Sequence, residues 1–507
     1  MNHGKPTTAL QNWTRMDGSR LNIIRRCERF AQWTIHKLFP DSSYDGNNGT
    51  VENQFQSLGA QATNHLANRL MMVLFAPSRP FFRLGPKKAA QEQMATIGPE
   101  TRGELENKLS VVEREASDVI DRLAMRSKIY ELLKLLIVTG NALMVLRKDG
   151  MRVLNLRSYV VRRDVSGKVI ELMIREQVER EEIDPAALAI AERSGQFMLD
   201  KDGKTYHFRW IKYDPATKKY HESQWLQDYQ LPAQWSSSYS EKAMPYHAVT
   251  WDLSSGRHYG TGLVEDYKDD FAALTALARS TINAAILNSE FRWVIRAGAL
   301  TSPQDLAQSR NGDVLMGEQG DITPVHSGME AKIDANVTVA QEYVQRIGAA
   351  FMLQSAVTRN AERVTTYEIR SNAEELEGGL GGAYSRLAVM QIPLADYCLE
   401  HSGYSLKNSE WEATVITGLA ALSRVGDRDR LLSFIQSITP LIQANPNAVI
   451  PRLRMSALIS DMASAEGIDR NKYVLSDAEF AQQQQMEQQA MMQQQANAAA
   501  VEQEFAQ

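Results

Sequence analysis

The densest group of chemically active side chains is Glu265, Asp266, Asp269 and Asp270, four carboxylates within six residues. Carboxylates at i and i+4 share a helix face and could hold Mg2+ for nuclease chemistry. The competing reading is that acids in the first two turns of a helix simply favour the positive end of its dipole. A second group, Arg359, Glu362, Arg363 and Arg370, falls in and just after a polar interruption between two helical patterns. Arginines on a loop projecting from that position could touch phosphates; the plainer reading is a solvated loop.

Other motifs fail on spacing. Asp202-Gly203-Lys204-Thr205 ends like a phosphate loop, but Met198 stands at the required earlier glycine, so a hairpin turn is the better reading. His221-Glu222 opens like a zinc-protease helix, yet position 225 is Trp. The Gly378–Gly382 cluster has Tyr384 where a dinucleotide loop needs glycine and does not follow a strand. No serine sits in a GxSxG elbow. Cys27 and Cys398 are the only cysteines, which argues against a disulfide framework and a thiolate zinc site and for a reducing compartment. These absences argue against an enzyme, and neither a cofactor nor a metal is expected.

The chain has 507 residues, enough for several domains, and its 43% hydrophobic and 23% charged content excludes a wholly disordered chain. Lys and Arg total 56 against 61 Asp and Glu, a net charge of −5. Tight general binding of nucleic acid by phosphate neutralisation calls for a basic excess or face, so the monomer is not expected to do it. Met1–Pro6 leads into polar sequence with no signal-peptide core, and the nearest approach to a long apolar run, Leu132–Val138, is short and contains Lys134. A soluble protein without a cleavable export signal is expected.

These groups must be positioned by a mixed scaffold, α+β but mainly α. The first forty residues read as a helix ending at Phe39-Pro40, followed by helices over Phe55–Phe75 and from about Glu100 to Thr139. Between 142 and 253 the period changes to two. Ala142–Arg147 and Arg152–Leu156 form a hairpin, which Val160–Arg163 and Val169–Glu176 extend. Tyr206–Tyr213 pairs with Lys219–Gln224, His247–Leu253 is a further strand, and a helix is inserted near 184–194. From 262 to 289 helical spacing returns, with six alanines in 28 residues leaving a slim surface. A strand-like stretch with turns follows, including Phe291–Arg296 and Val314–Met316, and then a second helix from Ala335 to about Leu353. Two long helices thus bracket a small strand-rich insert. Beyond the 354–365 break, apolar residues from Ile369 to Tyr397 follow a four-three spacing on one long helix, despite Pro393. Leu431, Ile435, Ile438 and Ile442 mark another helix, and the last 26 residues hold 11 glutamines.

Residues 350–394 resemble the portal protein, the head-to-tail connector, of T7-like podophages. The resemblance runs through Ala350-Phe-Met-Leu-Gln-Ser-Ala-Val-Thr-Arg-Asn-Ala-Glu-Arg-Val-Thr-Thr-Tyr-Glu-Ile-Arg370, Leu380-Gly-Gly-Ala-Tyr-Ser-Arg-Leu387 and Gln391-Ile-Pro-Leu394. Val138-Thr-Gly-Asn141, Arg157-Ser-Tyr-Val-Val-Arg-Arg-Asp164, Tyr259-Gly260 and Thr417-Gly-Leu419 add matches in the same order, collinear over about residues 20–475.

The resemblance implies a portal fold of wing, stem, clip and helical crown, with twelve copies ringing an axial channel at one capsid vertex of the virion. On this sequence it places the wing at 1–260 and 366–425, the stem helices at 261–289 and 331–353, and the clip at 290–330. The tunnel loop falls at 354–365 and the crown at 426–475, with a Gln/Met/Ala-rich tail at 476–507, helical or disordered. It implies contacts with double-stranded DNA without sequence specificity from Arg359, Arg363, Glu362 and Arg370. Asp266, Asp269, Asp270, Lys332 and Arg346 become channel-facing or inter-subunit stem residues. Arg292, Trp293, Arg310 and Asp313 become clip contacts. The implied partners are further copies of the chain, the terminase, tail adaptor and tail tube proteins, and the scaffolding, internal core and major capsid proteins. No membrane is involved, and assembly takes place in the host bacterial cytoplasm. Twelve copies of a −5 subunit total −60, which suits a conduit that must not hold phosphates tightly. The alternatives are another ring-forming virion protein, such as a tail adaptor, or a nuclease built on the acidic cluster. Arg363→Ala should leave assembly intact but change DNA packaging or retention; unchanged full-head yield and genome retention would remove Arg363 from the mechanism.

Overall fold

Thr8 opens the first helix, Ala9–Gly18, by accepting the Gln11 N–H on its hydroxyl at 3.3 Å. The structure, a computed structural model, describes residues 8–40, 54–76, 80–87, 90, 99–195, 197, 199–289, 292–325, 330–353, 378–380, 382–406, 409–415 and 433–445, with isolated positions beyond. The chain divides into two compact units. The larger comprises Met1–Met71, Met125–Ala361 and Gly378–Ala383; the smaller comprises Met72–Ala124, Glu362–Glu377 and Tyr384–Gln507.

In the larger unit, Ala9, Trp13 and Met16 stand one turn apart and bury themselves against Val160, Met173, Phe208, Trp210 and Trp225 of an antiparallel sheet. That sheet runs Tyr159–Arg163, Val169–Glu179, Lys204–Asp214, Lys219–Leu226 and Tyr229–Gln230, with Ser237–Ser240 also on Lys219–Leu226. The buried Glu171 carboxylate beneath the helix accepts from Asn12 Nδ2 at 2.9 Å, Trp210 Nε1 at 2.8 Å and Arg162 Nε at 3.1 Å, so its charge is paired. Asp202-Gly203 lies in a turn, with Gly203 at φ +74°, as its spacing indicated, but the turn leads into the strand Lys204–Asp214 with no strand before it among the described residues, so it does not close a hairpin. Pro185–Arg193 is the inserted helix.

Two expectations are corrected here. The helix over the first forty residues is two helices, Ala9–Gly18 and Leu21–Trp33, followed by a short 3-10 turn at His36–Leu38. The break turns Arg20 inward, where its guanidinium donates to the carbonyls of Leu156 and Tyr159 and lies over the Trp13 ring. Tyr159–Arg163 and Val169–Glu179 also do not extend the hairpin before them. Asn141–Arg147 and Gly150–Leu154 form a separate three-stranded sheet with Tyr246–Thr250. Arg20 occupies the carbonyls at the point where the chain leaves one sheet for the other.

The helix expected from Glu100 to Thr139 is also divided, into Pro99–Ser117, Val119–Arg122 and Met125–Thr139, with Ala124 at φ +50°. Met125–Thr139 buries Leu132, Leu133, Leu135, Leu136, Ile137 and Val138, whereas the preceding stretch carries charge on one face. Helices with such different faces need different surroundings, and the two parts belong to different units.

In the smaller unit, Phe82–Pro86 pairs antiparallel with Trp411–Val415. The described part of the long helix is split into Ala383–Ala388 and Gln391–His401, because Pro393 has no N–H to return to Val389. Its apolar stripe is buried at Leu387, Met390, Leu394 and Tyr397. Glu113 accepts the Leu84 N–H at 2.8 Å, and burial pushes its carboxyl up to about 7. A raised carboxylate favours the native state while protonated. Its contribution is therefore complete below about pH 4.5 and lost as pH rises to about 7, a swing of up to about 3 kcal/mol. Urea unfolding of the smaller unit should show that decline, and Glu113→Gln should flatten it; a slope unchanged by the substitution would exclude Glu113 as its source.

Candidate functional site

The slim helix begins as Leu263–Asp266, bends at Tyr267 and continues as Lys268–Ser289. Its partner, Glu330–Ala350, starts five residues before the Ala335 expected from periodicity and runs antiparallel to it. The register is marked near the root and midway along the pair, with Arg346 pairing with Asp270 at 3.5 Å and Asn336 Nδ2 donating to Ser280 Oγ at 3.4 Å. At the root, fully buried Phe351 meets Phe271 at 5.8 Å and Tyr267 at 6.2 Å, both edge-on. Phe271, Leu274 and Ile347 complete this buried root. Further out the pair is apolar but exposed, at Ile282, Ile286 and Leu287 on one helix and Val337, Val339 and Val344 on the other. Exposed apolar residues on both members of a pair mark surface that wants a further layer.

The helices are joined by a tip. Arg292–Ile295 pairs antiparallel with Ile322–Val325, and Ser302 caps a short helix, Pro303–Gln308. The tip is organised by Asp321, which sequence reasoning missed. It is buried and takes Arg296 at 2.9 Å on one oxygen and the Glu318 N–H at 2.8 Å on the other. Thr301 Oγ1 donates to the Met316 carbonyl at 2.8 Å. Val314–Met316, expected to be strand-like, has no sheet partner and leaves Val314 and Met316 exposed by 96% and 83%.

The sequence-derived residues are distributed as follows. Arg292 and Trp293 stand opposite Val325 and Pro324, and Trp293 is exposed. Asp313 accepts the Arg310 N–H at 2.6 Å and so closes a turn in another part of the tip. Lys332 lies on the second helix, its side chain outside the described residues. Arg346, half exposed, covers the Tyr343 ring as well as pairing with Asp270. The acidic cluster does not converge. Glu265 turns to Arg26 at 2.5 Å, Asp270 turns to Arg346, and burial with Asp252 nearby holds the Asp266 carboxyl above its usual range. Asp269 is exposed. Among the described residues, no three His, Cys, Asp or Glu side chains gather as a metal site. Arg359, Glu362, Arg363 and Arg370 lie outside the described residues.

The charge of the region is one-sided. Residues 262–353 carry twelve Asp and Glu against seven Lys and Arg, a net −5 equal to that of the whole chain. The remainder of the sequence is therefore neutral. Among the described residues, no helix is long and apolar enough to cross a membrane.

An antiparallel helical pair thus carries a small tip and is rooted among sheets and helices. The chain belongs to the family described as "Bacteriophage head to tail connecting protein", which matches residues 6–474. It is 30% identical over 429 residues to the portal protein of Enterobacteria phage SP6, covering 84% of this chain and 82% of that one. To the portal protein of Enterobacteria phage T3 it is 30% identical over 484 residues, covering 93% and 89%. To that of Escherichia phage T7 it is 29% identical over 483 residues, covering 93% and 88%. Neither the tail-adaptor nor the nuclease alternative is favoured by these relatives.

Removing Phe351 should loosen the root of the helical pair. Phe351→Ala is expected to cost about 3–5 kcal/mol, as for other wholly buried aromatics, and to speed hydrogen exchange in the first turns of Lys268–Ser289. Exchange unchanged there would mean that Phe351 does not hold the pair.

Proposed function

We propose that this chain is the portal subunit of a T7-like podophage, and that about twelve copies close around an axial channel at one capsid vertex. Membership of the connecting-protein family and the portal relatives support the head-to-tail role. The observation carrying the channel reading is the antiparallel pair Lys268–Ser289 and Glu330–Ala350, apolar and exposed beyond its root. In a ring, such a pair gains neighbours on its flanks. The pair serves as the stem, 290–330 as the clip and 354–365 as the tunnel loop. Residues 1–260 and 366–425 form the wing, 426–475 the crown, and 476–507 a tail.

The mechanism is electrostatic. Double-stranded DNA must slide inward during packaging and outward at ejection, and each neutralised phosphate adds affinity through counterion release. A region that concentrates the chain's net negative charge keeps that affinity low. Cations at Arg359 and Arg363, with Glu362 and Arg370 nearby, supply a localised contact at the tunnel loop. Asp266, Asp269, Asp270, Lys332 and Arg346 serve the stem and its neighbours. The tip, through Arg292, Trp293, Arg310 and Asp313, docks the neighbouring clip, the terminase and later the tail adaptor. Scaffolding, internal core and major capsid proteins surround the wing during assembly in the host cytoplasm. The protein's role is structural, with ATP hydrolysis left to the terminase.

Negative-stain electron microscopy of the purified protein should show closed rings with an axial hole and about twelve subunits. A compact monomer at high concentration, persisting with the scaffolding protein added, would overturn the reading.

A further inference from the structure

The junction between the body and the helical pair contains a buried polar device that nothing above employs. The Met125–Thr139 helix ends at Gly140, φ +73°, and the next residue, Asn141, is 1% exposed. Its Nδ2 donates to the Thr139 carbonyl at 2.8 Å and to the Gly260 carbonyl at 2.7 Å, while its Oδ1 accepts the Gly260 N–H at 2.8 Å. One side-chain amide thus satisfies both backbone groups of a residue 119 positions away, as a neighbouring strand would.

The surrounding backbone is packed too closely for side chains. A Cβ on Gly140 would sit 2.2 Å from the Thr261 carbonyl carbon, and one on Gly262 would sit 2.7 Å from the Ile137 carbonyl oxygen. Asp252 and Thr261 exchange backbone hydrogen bonds at 3.2 and 2.9 Å, and the Trp251 N–H reaches the Gly140 carbonyl at 3.0 Å. Gly260 lies three residues before Leu263, where the slim helix begins. The clamp therefore acts at the foot of a lever: Lys268–Ser289 alone spans about 33 Å at about 1.5 Å per residue.

We infer that Asn141 is a positioning residue that fixes the angle between the sheet-bearing body and the helical pair, and through it the number of copies that close the ring. This rests on the ring proposed above. Identical copies joined by one repeated contact close only if the rotation per copy divides a full turn, about 30° for twelve and about 28° for thirteen. Body and helical pair both meet neighbouring copies in such a ring, so their contacts must share one axis. The angle at which they join decides which count satisfies both. A change of about two degrees is enough to move the count by one, and a lever whose foot is held by two buried side-chain hydrogen bonds across the junction resists such a change.

The test counts subunits per ring by native mass spectrometry and by symmetry classification of images. Three proteins are compared: the unsubstituted chain, Asn141→Ala, and Asn12→Ala. Asn12 is a matched control, a buried amide bonded to Glu171 beneath the first helix and away from the junction. The expected result is one dominant count for the unsubstituted chain and for Asn12→Ala. Asn141→Ala should raise the fraction of rings with other counts roughly threefold or more, or give folded subunits that do not close. Folded Asn141→Ala with the unsubstituted distribution overturns the inference, and so does an equal broadening in Asn12→Ala. If Asn141→Ala does not fold, Asn141→Ser, which keeps one donor and acceptor, is judged by the same criterion. Failure of the unsubstituted chain to form rings would instead overturn the portal reading itself.

Discussion

A pair of helices that extends away from its own body has to be held at the root, and here that constraint falls on very few residues. Phe351 closes the second helix against Tyr267 and Phe271 of the first. Asn141 ties the segment entering the first helix to the end of Met125–Thr139. Between them these contacts decide where some twenty residues of each helix point, because little else along the pair is buried. In the ring proposed for this chain, the weak burial further out leaves apolar surface for neighbouring copies to cover.

The same region explains the charge. The helical pair and its tip hold a net −5 while the rest of the chain is neutral, so the acidity is a local property rather than a diffuse one. Some of these acids are occupied within the subunit: Glu265 by Arg26, Asp270 by Arg346 and Asp321 by Arg296. The partly exposed pairs of Glu265 and Asp270 contribute little stability, on the order of 0–1 kcal/mol each. Their consequence is geometric, since they point the carboxylates of the 265–270 cluster in different directions and leave no convergent cage for a metal ion.

The body is assembled from local rules that mostly agree. Strands with alternating faces meet a helix that carries Ala9, Trp13 and Met16 on one stripe, and the carboxylate buried in that interface, Glu171, has three donors. Departures from regular structure fall where a side chain is needed elsewhere. Arg20 interrupts two helices to cap carbonyls between the sheets, Ala124 takes φ +50° just before a helix whose second half is buried, and Pro393 divides a helix by lacking an N–H.

Much was legible before any coordinates. Periodicity located the longer strands of 142–253, the inserted helix, both long helices and the first strand of the tip, but not its partner Ile322–Val325; alternation and 3.6-residue spacing are local consequences of which face is buried. The resemblance around 350–394 pointed to the family through the order of dispersed matches. What the sequence could not decide was long-range. It did not separate the two sheets, since strand patterns do not name their partners. It did not distinguish four acids on one helix from a metal site, since that depends on Arg26, more than 200 residues away, and on Arg346, on the opposite helix. It placed Asn141 and Gly260 in separate motifs 119 residues apart, and only the folded chain brings them within 2.8 Å. Local pattern determined which elements form; hydrogen bonds and aromatic contacts between distant residues determined how those elements are held.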